Sequence, residues 1–134
     1  MPTITSYNAQ DVSVTVDNVF ITGFAEGTFV EAAKDEDNFD TSVGAQGDVA
    51  ITEVNNTLGT ITITLQHGSP SISYLNRLAN SGRLVPAYVI ANSIAGKEIS
   101  GGSQARVVKP ADKTYADTTE DREFEIRVFD YETT

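Results

Sequence analysis

The chain has 134 residues, with 19 acidic and 9 basic side chains, a formal net charge of −10 and no cysteine. This length predicts a single domain over 1–134 that is large enough to bury a core. The lack of thiols excludes disulfides and thiolate metal sites. The negative charge argues against binding to nucleic acid or to anionic membranes, because both need a basic surface.

Charge is distributed unevenly along the chain. Residues 1–68 contain 10 acidic residues and one basic residue, a net charge of −9, whereas residues 69–134 contain 9 acidic and 8 basic residues, a net charge of −1. The asymmetry suits a self-assembling subunit, since an acidic face on one copy would meet a mixed face on the next. Solvated surface charge without a partner is the alternative interpretation.

Short alternating segments bounded by turn residues predict a mainly β fold. Five of them fall in the first half of the chain: 11–16, 19–24, 28–34, 39–43 and 48–54. An acidic run, Asp35-Glu36-Asp37-Asn38, separates the third from the fourth. This run lacks the glycine and the distal glutamate of a calcium-binding EF-hand loop, so we interpret it as a solvated turn.

The stretch 59–82 has the clearest pattern. Ile61, Ile63 and Leu65 alternate with a row of threonines, as expected of a half-buried strand. The row consists of Thr60, Thr62 and Thr64. It is interpreted either as the solvent face of an antiparallel sheet or as the polar wall of a channel shared between subunits.

A helix over about 70–81 is predicted to follow that strand. Ser69 is a candidate N-cap, and Pro70 suits the first helical position. Gly82 offers a left-handed stop. One apolar stripe at helical spacing would face the core, and it comprises Ile72, Leu75, Leu78 and Ala79.

The remaining segments complete the predicted fold. They are a strand over 84–91, a turn over 92–96, one bulged strand or a strand pair over 98–109, a polar loop over 111–121 and a strand over 123–130. Together these elements predict a β-sandwich or flattened barrel of about eight strands with one flanking α-helix.

A catalytic centre finds little support in the sequence. His67 is the only histidine, and no glycine-flanked serine forms a nucleophile elbow. Carboxylate pairs of the glycosidase type are defined by distance in space, so the sequence leaves that alternative open. We expect a non-enzymatic protein without a cofactor or metal.

Several segments resemble one protein family. They are Phe-Asp-Thr-Ser-Val-Gly-Ala-Gln-Gly-Asp-Val (39–49), Asn-Thr-Leu-Gly-Thr-Ile-Thr-Ile-Thr-Leu-Gln (56–66), Gly-Ser-Pro-Ser-Ile-Ser-Tyr-Leu-Asn-Arg-Leu (68–78) and Ile-Thr-Gly-Phe-Ala-Glu-Gly (21–27). From about Tyr7 to Tyr131, the chain resembles the tail tube proteins of tailed bacteriophages, of the type found in contractile tails and phage-derived bacteriocins.

The resemblance implies a structural virion protein located in the tail and assembled in the host cytoplasm. Such subunits form hexameric rings, and the stacked rings enclose a lumen that conducts double-stranded DNA during ejection without binding it specifically. The implied partners are further copies of the chain, a tape-measure protein, a sheath protein and a baseplate or initiator complex. The first ten residues show no basic or apolar leader pattern, so we expect neither a signal peptide nor a membrane anchor.

The resemblance also implies two candidate sites. An acidic or hydroxyl-lined lumen would let DNA, with one phosphate per ~1.7 Å of axis, slide without adhering. The lumen candidates are Thr60, Thr62, Thr64, Asp48 and Glu53. The candidate loop for contacts between subunits or between rings consists of Asp35, Glu36, Asp37, Asn38 and Phe39.

Two alternatives remain open at this stage. One is the tube subunit of a DNA-free phage-like particle, such as a bacteriocin or a secretion-type injection system. The other is a carbohydrate-binding β-sandwich, which would be expected to present aromatic platforms. The chain has no tryptophan, and its five tyrosines are scattered.

Overall fold

The computed structural model describes residues 7–93 and 96–134. Residues 1–6 belong to the segment in which we expect no signal peptide, and residues 94–95 belong to the predicted turn at 92–96. Both stretches lie outside the described residues.

The described chain is mainly β, as predicted, with ten strands and one α-helix after a 3-10 turn at Ala9–Asp11. The first strands are β1 (Val12–Val16), β2 (Val19–Phe20), β3 (Val30–Lys34), β4 (Phe39–Val43), β5 (Val49–Glu53) and β6 (Gly59–Leu65). Helix α1 (Ser71–Ser81) follows. The chain then forms β7 (Val85–Ser93), β8 (Gly96–Val107), β9 (Arg122–Val128) and β10 (Glu132–Thr133).

Eight strands form one antiparallel sheet in the order β2-β1-β7-β8-β9-β6-β3, with β10 pairing with β8. The described strands do not close into a barrel, because the order ends at β2 on one side and at β3 on the other. Strands β4 and β5 pair only with each other and form a separate hairpin. The architecture is therefore a curved, sandwich-like sheet with a flanking helix and one detached hairpin.

The core lies on the inner face of the sheet, beneath α1. Along β6 and β9 every second residue is buried, which confirms the alternation predicted from the sequence. Leu75 and Leu78 of α1 join this cluster. The fully buried large side chains of the sheet are Val14, Val16, Ile61, Ile63, Leu65, Val85, Val107, Phe124, Ile126 and Val128.

Helix α1 begins one residue later than predicted, so that Pro70 and not Ser69 is the N-cap residue, and it ends as predicted. Ser69 Oγ accepts a hydrogen bond from the backbone N–H of Ser71 at 3.2 Å, and its hydroxyl donates to the carbonyl of Thr22. At the other end Gly82 has φ 67°, and its N–H bonds to the carbonyl of Leu78 at 3.2 Å. This left-handed position favours glycine because other side chains are strained there.

The second predicted strand, 19–24, is too long. Strand β2 ends at Phe20 because Ile21 turns into the core and Gly23 adopts φ 79°. The chain rejoins the sheet only through an isolated bridge between Phe24 and Leu65. The alternating pattern did not reveal this break, since a glycine in an extended segment is compatible with either conformation.

Strand β8 is one bulged strand, as one of the two sequence interpretations proposed. Its register with β7 shifts between Val85 and Ala87, which leaves an extra residue around Ser103 and Gln104. The side chain of Asp130 stabilises this bulge. Its carboxylate accepts hydrogen bonds from the Ser103 hydroxyl at 2.6 Å and from the N–H groups of Ser103 and Gln104 at 3.1 and 3.0 Å. These hydrogen bonds lower the pKa of Asp130, with the bond from the Ser103 hydroxyl as the largest cause.

Candidate assembly surface

The hairpin of β4 and β5 is exposed along its whole length. All ten of its strand residues are exposed. Its turn is closed by a hydrogen bond from the Gly44 N–H to the Asp48 carbonyl at 2.7 Å and by one from the Gly47 N–H to the Gly44 carbonyl at 3.0 Å. An isolated two-stranded hairpin is at best marginally stable in water, so this one is a candidate for packing against another molecule.

One face of the hairpin is apolar. The register places Val43 opposite Val49, Thr41 opposite Ile51 and Phe39 opposite Glu53, so these side chains share a face. The other face carries Asp40, Ser42, Ala50 and Thr52. The large apolar side chains remain uncovered, with relative exposures of 54% for Phe39, 68% for Val43, 62% for Val49 and 64% for Ile51. We call these four residues the apolar hairpin face.

The base of the hairpin is anchored to the main sheet. The Asp35 N–H bonds to the carbonyl of Leu58 at 3.0 Å, and the hydroxyl of Thr60 donates to Asp35 Oδ1 at 2.7 Å. The Val54 N–H extends the hairpin ladder by bonding to the Asn38 carbonyl at 2.9 Å. The hairpin that carries the apolar hairpin face is therefore hydrogen-bonded to the main sheet at its base, which we call its root.

The predicted contact loop, Asp35 to Phe39, forms this root and the start of β4. Lys34 donates to the side chain of Asn38, which closes the acidic turn on itself. Glu36 and Asp37 are exposed and have no salt bridge within the described residues. The structure therefore places two solvated carboxylates next to Phe39, the first residue of the apolar hairpin face.

The threonine row lies on the outward face of β6, opposite the core. Thr60, Thr62 and Thr64 are half-buried between β3 and β9. Thr62 stands between Glu31 and Glu125 in the register. Thr64 lies opposite Glu123 and Thr60 lies opposite Arg127, so the row is bordered by both acidic and basic side chains. Its assignment to a lumen remains a prediction.

Asp48 and Glu53, the other lumen candidates, lie apart from the threonine row. Both belong to the hairpin region, where Glu53 shares a face with Phe39. Asp48 precedes β5 by one residue, so the alternation of that strand assigns its side chain to the hairpin face opposite that of Glu53. A lumen that included all five predicted residues would have to combine the outer sheet face with both sides of the hairpin.

The edge of β3 is a second candidate contact. Within the described chain β3 pairs with β6 alone, so its other edge carries no strand partner. Between β3 and the start of β1 lies a depression of about 350 Å³, lined among others by Tyr7, Val12, Val30 and Ala32. Unpaired strand edges are sites where another chain can add a strand.

The opposite end of the strand order also exposes apolar side chains. Val19 and Phe20 of β2 are 43% and 65% exposed. One end of the strand order is therefore the exposed apolar strand β2. The other end is β3, and the hairpin with the apolar hairpin face follows β3 in the chain. Sequence reasoning missed both apolar surfaces, although the alternation of valines and isoleucine at 43–51 was a usable signal.

The described residues show no arrangement typical of a catalytic or metal centre. They contain no group of three or more His, Asp or Glu side chains placed to hold a metal ion. His67 lies exposed in the turn between β6 and α1. The described part of the chain also contains no helix with the length and hydropathy of a membrane-spanning segment.

The same fold occurs in two solved assemblies. One is the anti-feeding prophage cap, a tube terminating cap, with a TM-score of 0.64 and 11% identity over 100% of this chain and 94% of that chain. The other is the sheath/tube terminator of PVC, an extracellular contractile injection system, in the extended state. Its TM-score is 0.62, with 11% identity over 96% of each chain. No protein-family model and no curated protein sequence matches the chain. At this identity the likeness establishes a common fold.

Proposed function

We propose that this protein is a structural subunit of a phage-like tail that assembles with copies of itself into rings, and that these rings stack into the tail tube. The observation that carries the proposal is that the apolar hairpin face is uncovered, on a hairpin that is hydrogen-bonded to the main sheet at its base. Burying a side chain of this size stabilises a contact by about 1.5–3 kcal/mol when it goes from full exposure to full burial. Four such residues give a neighbouring copy a strong contact.

Ring assembly also needs two different surfaces on each subunit. A closed ring of identical copies is built from heterologous contacts, in which one patch of each subunit meets another patch of the next. The chain offers such a pair, because β2 and β3 are the two ends of the strand order and are flanked by different exposed apolar groups. Pairing of the β3 edge with a neighbour would also satisfy its free backbone groups.

The partners proposed for this tube follow from the family resemblance. They are a tape-measure protein inside the growing tube, a sheath protein outside it and a baseplate or initiator complex at its start. In a virion, genomic DNA would pass through the lumen, and the net charge of −10 would limit its adhesion. A DNA-free injection device would use the same ring and tube without that cargo.

A tube terminator is the second candidate function, because both similar structures carry that role. A terminator and a tube subunit both form rings, but only the rings of a tube subunit stack further into a filament. Stacked rings need contact surfaces on both sides of the ring and extend as a filament, whereas a terminating ring needs only one.

The experiment is negative-stain microscopy combined with analytical ultracentrifugation of the purified chain over a range of concentrations. Rings with a central opening that stack into tubes support the tube subunit, and rings that never stack support the terminator. The test variant is Val49→Glu in the apolar hairpin face. The control is Lys97→Glu, which also places a glutamate at an exposed strand position and is expected to leave ring formation intact. Val49→Glu is expected to abolish rings while leaving the monomer folded. A wild-type chain that stays monomeric at every concentration would reject the proposal, and sugar binding by that monomer would support the carbohydrate-binding alternative.

A further inference from the structure

The outward face of β8 and β9 carries two arginines directly opposite each other. The register pairs Arg106 with Arg127, and both side chains are exposed. Like charges at directly opposed positions of an antiparallel pair destabilise the sheet. The arrangement is unusual in a chain with 19 acidic and 9 basic residues, so it calls for a compensating anion.

The charges within the subunit compensate this pair only in part. Glu125 Oε1 lies 3.7 Å from Arg127 Nη2, at a site where both side chains are nearly half exposed and the pair contributes little. Within the described residues no carboxylate lies within ion-pair distance of Arg106. Its guanidinium approaches Gly82, where an added Cβ would lie 2.6 Å from Nη2. The partial negative charge of the α1 C-terminus attracts the arginine there but does not neutralise it.

Apolar side chains adjoin the two arginines. Val108 and Phe129 are 48% and 37% exposed, and together with Arg106 and Arg127 they line an open depression of about 290 Å³. We call this site the arginine cleft. Its chemistry fits a ligand that brings carboxylates and a large apolar group together.

The acidic turn of the same chain has this composition. Glu36 and Asp37 are solvated carboxylates, and Phe39 follows them with an exposed ring. We infer that the acidic turn of one copy docks into the arginine cleft of another copy, with its carboxylates facing Arg106 and Arg127 and Phe39 against Val108 and Phe129. This inference rests on the proposed self-assembly and specifies one of its contacts.

The contact is heterologous, because it joins the turn of one copy to the cleft of the next, and turn and cleft consist of different residues. Within one subunit the two are neighbours, since Asp35 accepts a hydrogen bond from Thr60, which lies opposite Arg127 in the register. It gives the charge asymmetry of the chain a physical role, since the turn lies in the strongly acidic half and the cleft in the half that holds 8 of the 9 basic residues. An interface held by opposite charges is expected to weaken as salt screens them.

Charge reversal tests the cleft. Arg106→Glu is expected to raise the concentration needed for assembly by about tenfold or more, as loss of a desolvated charge pair does. Lys97→Glu is the matched control, because it makes the same charge change at an exposed position of the same strand. Circular dichroism verifies that both monomers are folded. Equal assembly of Arg106→Glu and wild type would overturn the inference.

Cross-linking tests the geometry, and the cysteine-free chain gives it a clean background. The double variant Asp37→Cys with Val108→Cys keeps both arginines and is expected to yield a ladder of disulfide-linked oligomers on oxidation. Asp37→Cys with Lys97→Cys is expected to yield none. Rings that form without the first ladder would reject this contact and leave the proposed function standing. A wild-type chain that does not self-associate would reject both.

Discussion

Strand pairs β6–β9 and β4–β5 share an alternating pattern of apolar and polar residues but have different surroundings. Both are antiparallel and alternate apolar with polar residues. In β6–β9 the apolar side chains are fully buried beneath α1 and the facing strands. In β4–β5 the corresponding side chains are more than half exposed.

The difference shows that an alternating sequence predicts an amphipathic strand but does not predict which part of the molecule packs against its apolar face. The apolar face of β6 is satisfied within the subunit, whereas that of the hairpin is left for another molecule. An exposed apolar face on a regular, anchored element is typical of an interaction surface. The predictions below separate these two roles, from the largest expected effect on stability to the smallest.

Removal of a core side chain from β6 should cost the most. Ile63 is fully buried in the main cluster, so Ile63→Ala is expected to lower the free energy of unfolding by about 2–5 kcal/mol. Chemical denaturation of the monomer measures this loss. Thr62→Ala, on the outward side of the same strand, is the control and should change stability by only about 0.5 kcal/mol.

Asp130→Asn should destabilise the main sheet in a pH-dependent manner. Because the folded pKa is lowered from an ordinary value of 3.8, the stabilisation is fully present above that value and is lost as the pH falls through the folded pKa. The expected loss at pH 7 is about 1–3 kcal/mol, typical of hydrogen bonds to a charged group. Denaturation at pH 7 and at lower pH should show the difference from wild type shrinking with acid. An equal difference at every pH would contradict this account, and Asp117→Asn in the exposed loop is the control.

Thr60→Val should loosen the root of the hairpin with a smaller effect on the whole subunit. The change keeps the shape of the side chain and removes its hydrogen bond to Asp35, at a cost of about 0.5–1.5 kcal/mol. Hydrogen exchange at the Asp35 and Val54 amides should accelerate, while exchange in β9 stays as in wild type. Unchanged exchange at both amides would show that the Thr60 hydroxyl does not hold the hairpin to the main sheet.

Ile51→Ala should have the smallest effect on the monomer and a large effect on assembly. Ile51 is 64% exposed, so the free energy of unfolding is expected to change by about 0.5 kcal/mol or less. The concentration needed for ring formation should rise clearly, as measured by ultracentrifugation. A monomer destabilised as strongly as by Ile63→Ala would show that the hairpin packs within the subunit.

Local patterns in the sequence predicted much of the fold. The alternation of β6 and β9 and the capping residues of α1 placed these elements to within about one or two residues. The separation of β4 and β5 from the main sheet could not be predicted in this way, because pairing partners are chosen by long-range packing. The length of β2 was wrong for the related reason that Gly23 permits both a strand and a turn.

The candidate surface was predictable only in its charged part. The acidic run drew attention to Asp35–Phe39, which the structure places at the root of the hairpin. The arginine cleft was not predictable, because the opposition of Arg106 and Arg127 depends on how two distant strands are registered. The lumen role of the threonine row, Asp48 and Glu53 depends on the assembled ring and remains a prediction.

Hydrogen exchange of the β4–β5 amides in the monomer and in the assembled state tests the central claim most directly. The account predicts fast exchange of these amides in the monomer and strong protection on assembly, with the β6–β9 amides protected in both states. Hairpin amides that are equally protected in the monomer, or that stay unprotected in assembled rings, would contradict it.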